Sequence, residues 1–242
     1  TGDVVAFDFG AYDEPAGMQD YLDFADQGAP ALAAEHVVLF SGGLDSLAGA
    51  LETLAQVNGR VVLVTHRSAQ KILPHQDRLA KALQERHPGR VAHVPVRATM
   101  KGQKAAERTQ RSRSFLFAAL GHVISELTGS GQVDFFENGI VSQNLPVSPQ
   151  IIGTMATRTT HAHALRLFEE FLALVRGEPV RVRNRFEWMT KTEVVTKIRD
   201  HGAADLIHDT VSCNHVYDRP RGQTHCGACT QCLDRRFGVL AA

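Results

Sequence analysis

The sequence lacks several features that would assign it to common protein classes. Its 242 residues contain no apolar run long enough to cross a lipid bilayer, and no secretory signal peptide opens the chain. We therefore expect a cytoplasmic protein without membrane association. The G-x-x-x-x-G-K-[ST] motif of Walker-type loops is absent as well. Because the chain begins with Thr1 and not Met, we expect it to be trimmed from a longer one.

Basic residues are missing from the first quarter of the chain. Residues 1–59 contain ten Asp and Glu residues and no Lys or Arg, so residues 60–242 hold the other 16 acidic residues and all 26 basic ones. Residues 60–242 therefore form a basic body of the chain, which suits phosphate-bearing ligands, nucleic acid or an acidic partner surface. An acidic N-terminal segment that simply packs against this body explains the asymmetry equally well.

A phosphate-binding loop is predicted at residues 41–46, which read Ser-Gly-Gly-Leu-Asp-Ser. The loop follows the apolar run 37–40 and precedes leucines at helical spacing. Glycines at the end of a strand let backbone N–H groups approach an anion, and the dipole of the following helix adds partial positive charge.

Strands and helices alternate along the middle of the chain. We predict strands over residues 36–40, 61–65, 91–96 and 133–137, and helices that begin at Leu44 and cover 74–87 and 104–127. This order predicts an α/β fold with a doubly wound parallel sheet. Ligands of such sheets bind beyond the carboxyl ends of the strands, where residues 41–46, 65–68 and 137–144 would meet.

All four cysteines fall within twenty residues near the end of the chain, at Cys213, Cys226, Cys229 and Cys232. The last three form a double C-x-x-C, and with Cys213 they supply the four thiolates of a closed structural zinc site. Disulfides would need an oxidising compartment, for which nothing in the sequence argues. A Cys3His site with His215 or His225 is an open variant.

The loop resembles the pyrophosphate loop (PP-loop) of ATP pyrophosphatases with the adenine nucleotide alpha hydrolase-like fold. Together with the C-G-x-C-x-x-C tail, it resembles the 7-cyano-7-deazaguanine synthase family of queuosine biosynthesis. Residues 65–71, 113–117 and 190–195 resemble further segments of that family, so the likeness spans about 36–238. We accordingly predict an acidic N-terminal extension over 1–35, a nucleotide-binding PP-loop domain over 36–205 and a zinc-binding segment over 206–242.

The resemblance implies an ATP-dependent carbon–nitrogen ligase. Members of the family adenylate the carboxylate of 7-carboxy-7-deazaguanine, release pyrophosphate and let ammonia displace AMP to form an amide. A second ATP then converts the amide to the nitrile. The physical reason is that a carboxylate oxygen leaves poorly whereas AMP leaves well.

The resemblance also implies the residues of the site. Asp45, Ser46 and Arg113 are the expected catalytic residues, and Arg113 would face the acyl-adenylate or the phosphates. The expected cofactor-binding residues hold ATP with Mg2+ and border its adenosine; they are Ser41, Gly42, Gly43, Leu44, Asp45, Ser46, Thr65, His66, Arg67 and Gly139. Zinc is expected on Cys213, Cys226, Cys229 and Cys232.

Departures from the family pattern point to a divergent member. His66-Arg67-Ser68 replaces a Tyr-Gly-Gln, Ser114 replaces an Asn, and residues 137–146 replace the segment that reads the deazapurine. These changes resemble synthase-like proteins of bacterial antiphage defence operons. Such proteins are expected to attach a deazaguanine through an amide, including to a protein partner. The expected partners are therefore a 7-deazaguanine-type small molecule, a protein acceptor and a second copy of the chain as a homodimer.

Two other functions stay open at this point. A tRNA-modifying PP-loop enzyme suits the basic body, and the lysidine-forming type needs no cysteine, whereas thiolation needs one that zinc does not occupy. The second function that stays open is that of a nucleotide-binding module without catalytic activity.

Several single residues complete the predictions. A row of arginines at 181, 183 and 185 is expected on one solvated face of an edge strand. Glu137 and Asn138 are candidates for substrate contact, His161 is a candidate for the pocket wall, and Trp188, Phe115 and Phe117 are expected in the core.

Overall fold

The computed structural model describes residues 32–68, 70–98, 113–143, 145, 160–215, 220 and 222–242. Most of the predicted N-terminal extension, the first part of the helix predicted over 104–127 and much of the loop after residue 143 lie outside these residues. The predicted boundaries at residues 35 and 205 stay predictions.

Five parallel strands form the sheet, and each comes from an apolar or alternating run. They are β1 (His36–Leu39), β2 (Val61–His66), β3 (Val91–Val96), β4 (Gln132–Phe135) and β5 (Arg181–Asn184). Their order is β3-β2-β1-β4-β5, with every neighbouring pair parallel. The chain steps outward from β1 to β3 and then returns to place β4 on the other side of β1. The point at which a doubly wound sheet reverses is therefore between β1 and β4.

Seven α-helices and one 3-10 helix surround the sheet in the described part of the chain. The helices are α1 (Leu44–Gln56), α2 (Leu73–Arg86), α3 (Arg113–Thr128), α4 (Gly139–Ser142), α5 (Ala162–Arg176), α6 (Lys191–Asp200) and α7 (Thr230–Ala241). The 3-10 helix covers Ala204–Asp209. The α/β fold with a parallel sheet is thus confirmed, and each predicted strand and helix agrees with the structure within a few residues at the ends that can be compared.

Two apolar layers cover the two faces of the sheet. Side chains of α1, α2 and α6 pack with Val38, Phe40 and Leu63 on one face, whereas α3 and α5 cover the opposite face. Glycine at position 121 lets α3 lie close to β4, because a Cβ atom there would lie 2.6 Å from a methyl group of Val133. Because the helices lie so close, the core is nearly closed to water.

Single-residue predictions about packing had mixed outcomes. Arg181 and Arg183 alternate with buried neighbours along β5, which confirms the solvated row on an edge strand. The core assignment of Trp188 is wrong, because the residue follows β5 in a surface turn and its side chain is 79% exposed. Phe115 and Phe117 are only partly buried on α3.

No helix in the described ranges combines the length and the apolar composition that a bilayer crossing requires.

Candidate active site

The glycine-rich loop connects β1 to α1 at the reversal point of the sheet. Gly42 adopts a left-handed conformation with φ of +82°, and Gly43 is the N-cap of α1. Glycine at the N-cap supplies no capping side chain, so the first N–H groups of the helix are oriented for an anion. Ser46 is buried, and its hydroxyl donates to the Gly43 carbonyl at 3.1 Å. The loop therefore has the geometry of a phosphate cradle.

Two segments distant in sequence hold this loop in place. The Gln76 side chain of α2 donates to the Ser41 carbonyl at 2.9 Å, and the backbone N–H of Val211 donates to the Gly42 carbonyl at 2.9 Å. Val211 lies two residues before Cys213, so the cysteine-bearing segment directly supports the loop.

A cavity of about 490 Å3 opens in front of the loop. The loops after β1, β2 and β4 all contribute to its wall, as predicted for a doubly wound sheet. Among the predicted site residues, the wall contains Ser41, Gly43, Leu44, Asp45, Ser46, His66 and Arg113. Glu137 and Cys213 line it as well, together with residues that the sequence did not single out, including Thr160, Lys191 and Ser212.

Three predicted cofactor-binding residues make structural contacts away from this wall. The buried Thr65 hydroxyl donates to the Phe40 carbonyl at 3.0 Å, and Arg67 forms an ion pair with Asp77. Gly139 packs under the backbone of Glu187, where a Cβ atom would lie 2.8 Å from the carbonyl oxygen.

A buried lysine that the sequence did not single out holds the aspartate of the loop. The ammonium of Lys191, at the start of α6, lies 2.8 and 2.9 Å from the two carboxylate oxygens of Asp45. Asp234 of α7 is a second anionic neighbour at 3.6 Å, and the Lys191 side chain is only 5% exposed. A buried cation of this kind requires compensating carboxylates. Lys191 lies within residues 190–195, and the resemblance of that segment to the family was the one signal in the sequence for it.

Asn138 adds a further contact to the same carboxylate. Its side-chain amide donates to Asp45 at 2.9 Å, while its own amide oxygen caps the short helix α4. The end of β4 is thereby attached to the phosphate loop.

Glu137 places a second carboxyl group on the cavity wall. Burial raises the pKa of Glu137, and the Asp45 charge raises it further, whereas the Thr160 hydroxyl, Lys191 and Arg113 act in the opposite direction. The Thr160 hydroxyl donates to the Glu137 carboxyl group. Arg113 enters the cavity from the start of α3, with its guanidinium 5.0 Å from the centre of the Phe117 ring.

The predicted pocket role of His161 is not supported by its position. His161 is the N-cap of α5, where its ring nitrogen accepts from the His163 backbone at 3.2 Å, and it is not among the residues that line the cavity.

The four cysteine thiols converge next to the Val211 segment, and one of them, Cys213, lines the cavity. Their sulfur atoms lie within 4.8 Å of one another, and those of Cys226 and Cys232 are 3.8 Å apart. A tetrahedral ion with bonds of about 2.3 Å to sulfur separates its ligands by about 3.8 Å. The cluster can therefore hold a metal ion, and its composition favours four cysteines over a Cys3His site.

Backbone N–H groups lower the pKa of one of these thiols, whereas burial raises the pKa of another. The N–H groups of Ala228 and Cys229 donate to Cys226 at 3.4 and 3.2 Å, and they lower the pKa of its thiol to about 6. Burial raises the pKa of the Cys232 thiol to about 12. A bound cation would favour the deprotonated form of Cys232 despite its burial, because metal ligation favours the thiolate.

Fold and loop geometry together define an α/β protein with a phosphate-cradle loop after β1 and four C-terminal cysteines that lie close enough to hold a metal ion. Residues 159–242 match the model of the family described as queuosine biosynthesis protein QueC. This match confirms the family resemblance over the last third of the chain. It includes α5, α6 and the four cysteines, whereas the phosphate loop lies before the matched region. No curated protein matches the chain.

Proposed function

We propose that this protein is an ATP-dependent carbon–nitrogen ligase that activates the carboxylate of a 7-deazaguanine. The observation that carries the proposal is the Ser-Gly-Gly-Leu-Asp-Ser loop at the reversal point of the sheet, joined through Asp45 and Lys191 to the family-matched segment. The proposed products of the first step are an acyl-adenylate and pyrophosphate.

The phosphate loop supplies the binding site for ATP. Backbone N–H groups at Gly42, Gly43 and Leu44 and the hydroxyls of Ser41 and Ser46 would hold the phosphates, with Mg2+ shielding their charge. His66 would border the adenosine, with Thr65 and Arg67 next to it in the chain, whereas Gly139 follows β4 on the other side of the phosphate loop. Thr65 and Gly139 act through the backbone they support, because neither lines the cavity.

Two cations lie at the cavity wall, where negative charge would develop. Arg113 faces the cavity from α3, and Lys191 lies beside Asp45 at the phosphate loop. Cations oriented before the reaction stabilise charge in the transition state at little reorganisation cost. We assign Arg113 to the carboxylate or the phosphates of the adenylate, and Asp45 and Ser46 to the phosphate end.

A nitrogen nucleophile then displaces AMP and forms an amide. Ammonia as nucleophile gives the free amide and, with a second ATP, the nitrile 7-cyano-7-deazaguanine. An amine of a protein partner gives a conjugate, as expected for the antiphage defence members that the altered segments after β2 and β4 resemble. The basic body of the chain suits an acidic acceptor surface.

The four-cysteine cluster is proposed to hold one structural Zn2+. Four thiolates leave no open coordination position for a substrate, so the ion would stabilise the Val211 segment and α7 without joining the reaction.

The test is release of AMP from ATP and Mg2+ in the presence of 7-carboxy-7-deazaguanine. With ammonium chloride present in every sample as the nitrogen nucleophile, we expect AMP and pyrophosphate only when the acid is added. Asp45→Asn should abolish release, whereas Asp200→Asn, which changes an exposed carboxylate on α6, should leave it intact. AMP release that depends on tRNA instead of the acid would favour a lysidine-type enzyme. No release under either condition would favour a nucleotide-binding module without catalytic activity.

A further inference from the structure

Formation of the amide requires a proton acceptor. When ammonia or a primary amine attacks the acyl-adenylate, the nitrogen must lose a proton as the C–N bond forms. AMP leaves as a stabilised anion and is a weak base, so a side chain close to the carbonyl carbon is the better acceptor.

The cavity wall contains two carboxyl groups among the described residues, those of Asp45 and Glu137. Both carboxylate oxygens of Asp45 accept from Lys191, and one also accepts from Asn138. These contacts suit an anion that stays in place better than a group that must accept a proton. Glu137 follows β4, on the side of the phosphate loop away from β2. The acid would enter on this side if the adenosine lies over His66.

His66 is the other candidate base on the wall. Its Nε2 donates to the Ala98 carbonyl oxygen at 3.2 Å, so only Nδ1 could accept a proton, and that atom is buried away from the cavity solvent. The ring packs against Phe117 at 5.5 Å. It also follows β2, on the proposed adenosine side. Glu137 is therefore better placed for the nitrogen nucleophile.

A ring of hydrogen bonds fixes the position of Glu137. Asn184 of β5 accepts from the Glu137 backbone N–H at 2.9 Å and donates to its carbonyl at 2.8 Å. Asn184 also donates to the Ser142 hydroxyl at 3.0 Å, which in turn donates to the Thr160 carbonyl at 3.1 Å. The Thr160 hydroxyl completes the ring by donating to the Glu137 carboxyl group. Such support for a side chain is typical of a group that must be held in one orientation.

We propose that Glu137 is the general base of amide formation, with Thr160 as the residue that positions it. The inference rests on the proposed function. One nitrogen proton passes to the Glu137 carboxylate as the C–N bond forms, and the C–O bond to AMP breaks, with AMP taking its electron pair. A carboxylate has two oxygens and about four lone-pair positions, so it can accept from Thr160 and from the nucleophile together.

The surroundings of Glu137 suit this role. Asp45 from α1 faces it, as do Arg113 from α3, Lys191 from α6 and the Thr160 hydroxyl. Burial and Asp45 raise the pKa of Glu137 toward the range in which a general base is most effective. The base form predominates above that pKa, so the rate of amide formation should fall as the pH decreases through it.

The test separates the two half-reactions. Exchange of labelled pyrophosphate into ATP, dependent on 7-carboxy-7-deazaguanine, reports adenylation, and amide production from ammonium chloride reports the second step. For Glu137→Gln we expect exchange within about threefold of the wild type. We expect amide formation to fall by about 10²–10⁴-fold, the usual contribution of general base catalysis. The acidic limb of the pH profile for amide formation should disappear in this variant.

Two further variants keep the result interpretable. Thr160→Val should retain exchange and reduce amide formation by a smaller factor than Glu137→Gln. Glu187→Gln, a change near the same strand ends at a residue that does not line the cavity, should leave both activities unchanged. Amide formation at wild-type rates in Glu137→Gln would overturn the inference. An equal loss of exchange and amide formation would do the same, because it indicates a role in binding or folding. Absence of exchange in the wild type would instead overturn the proposed function on which the inference rests.

Discussion

Removal of the Lys191 ammonium should destabilise the protein more than removal of any exposed cation. In Lys191→Met, the methylene stem keeps its packing while Asp45 and Asp234 lose the cation that lies 2.8 and 3.6 Å from them. Breaking a fully buried ion pair by removing one partner costs about 3–5 kcal/mol. Because the side chains of Asp45 and Asp234 retain 14% and 16% exposure, water offsets part of this cost. We expect the free energy of unfolding to decrease by about 2–4 kcal/mol.

The same helix provides a matched control. Lys197 pairs with Glu52 at 3.0 Å, but its side chain is 30% exposed. Lys197→Met should therefore cost less, about 1 kcal/mol, because water screens the remaining carboxylate of this partly exposed pair more fully. Urea unfolding of the wild type and both variants measures the two losses of unfolding free energy. Equal m-values would check that unfolding is two-state.

A double variant identifies the cause of the loss. In Asp45→Asn/Lys191→Met, one of the two uncompensated carboxylates is removed, so the double variant should be more stable than the sum of the single changes predicts by about 0.5–3 kcal/mol. Equal losses in Lys191→Met and Lys197→Met, or strict additivity of Asp45→Asn and Lys191→Met, would refute the view that Lys191 is held by charge compensation.

Three further changes test other parts of the structure. Purified protein should contain one Zn2+ per chain, and Cys226→Ser should lose the metal and unfold at a lower temperature; a variant without metal and with an unchanged Tm would contradict a structural site. Gly238→Ala should lower the free energy of unfolding by about 1–3 kcal/mol through overpacking, because a Cβ atom there would lie 2.6 Å from Cγ of Lys191; Leu240→Ala, at an exposed position of the same helix, is the control for urea unfolding. Burial raises the pKa of Glu137 above its ordinary value of 4.5, so the folded wild type should lose stability relative to Glu137→Gln as the pH rises from that value through the raised pKa; a difference in unfolding free energy that stays constant between pH 5 and pH 8 would contradict it.

The fold was predictable from the sequence because its signals are local. Apolar strands alternate with helices at short spacing, and a glycine pair marks the loop that follows β1. The cysteine cluster was predictable for a related reason, since two-residue spacers keep neighbouring cysteine sulfurs close enough to share one ion. These patterns require no knowledge of which distant residues meet.

The contacts that shape the cavity were not predictable in this way. Lys191 is separated from Asp45 by 146 positions, and Thr160 from Glu137 by 23. Neither pair has a pattern in the sequence that links its two members. Trp188 was assigned to the core on its apolar character alone, whereas the turn after β5 places it in solvent. Thr65 and Gly139 are predicted at the ligand; in the structure the Thr65 hydroxyl donates to the Phe40 carbonyl and Gly139 packs against the Glu187 backbone, contacts that the sequence did not indicate.

The contacts between the C-terminal segment and the phosphate loop argue that the two act as one site. The backbone N–H of Val211 donates to the Gly42 carbonyl, and the Lys191 ammonium lies close to the carboxylates of both Asp45 and Asp234 of α7. Gly238 leaves no space between α7 and the stem of that lysine. A metal ion on the four cysteines would fix both Val211 and α7, because Cys213 follows the former and Cys232 lies within the latter. Metal binding in this segment should therefore stabilise the phosphate loop itself.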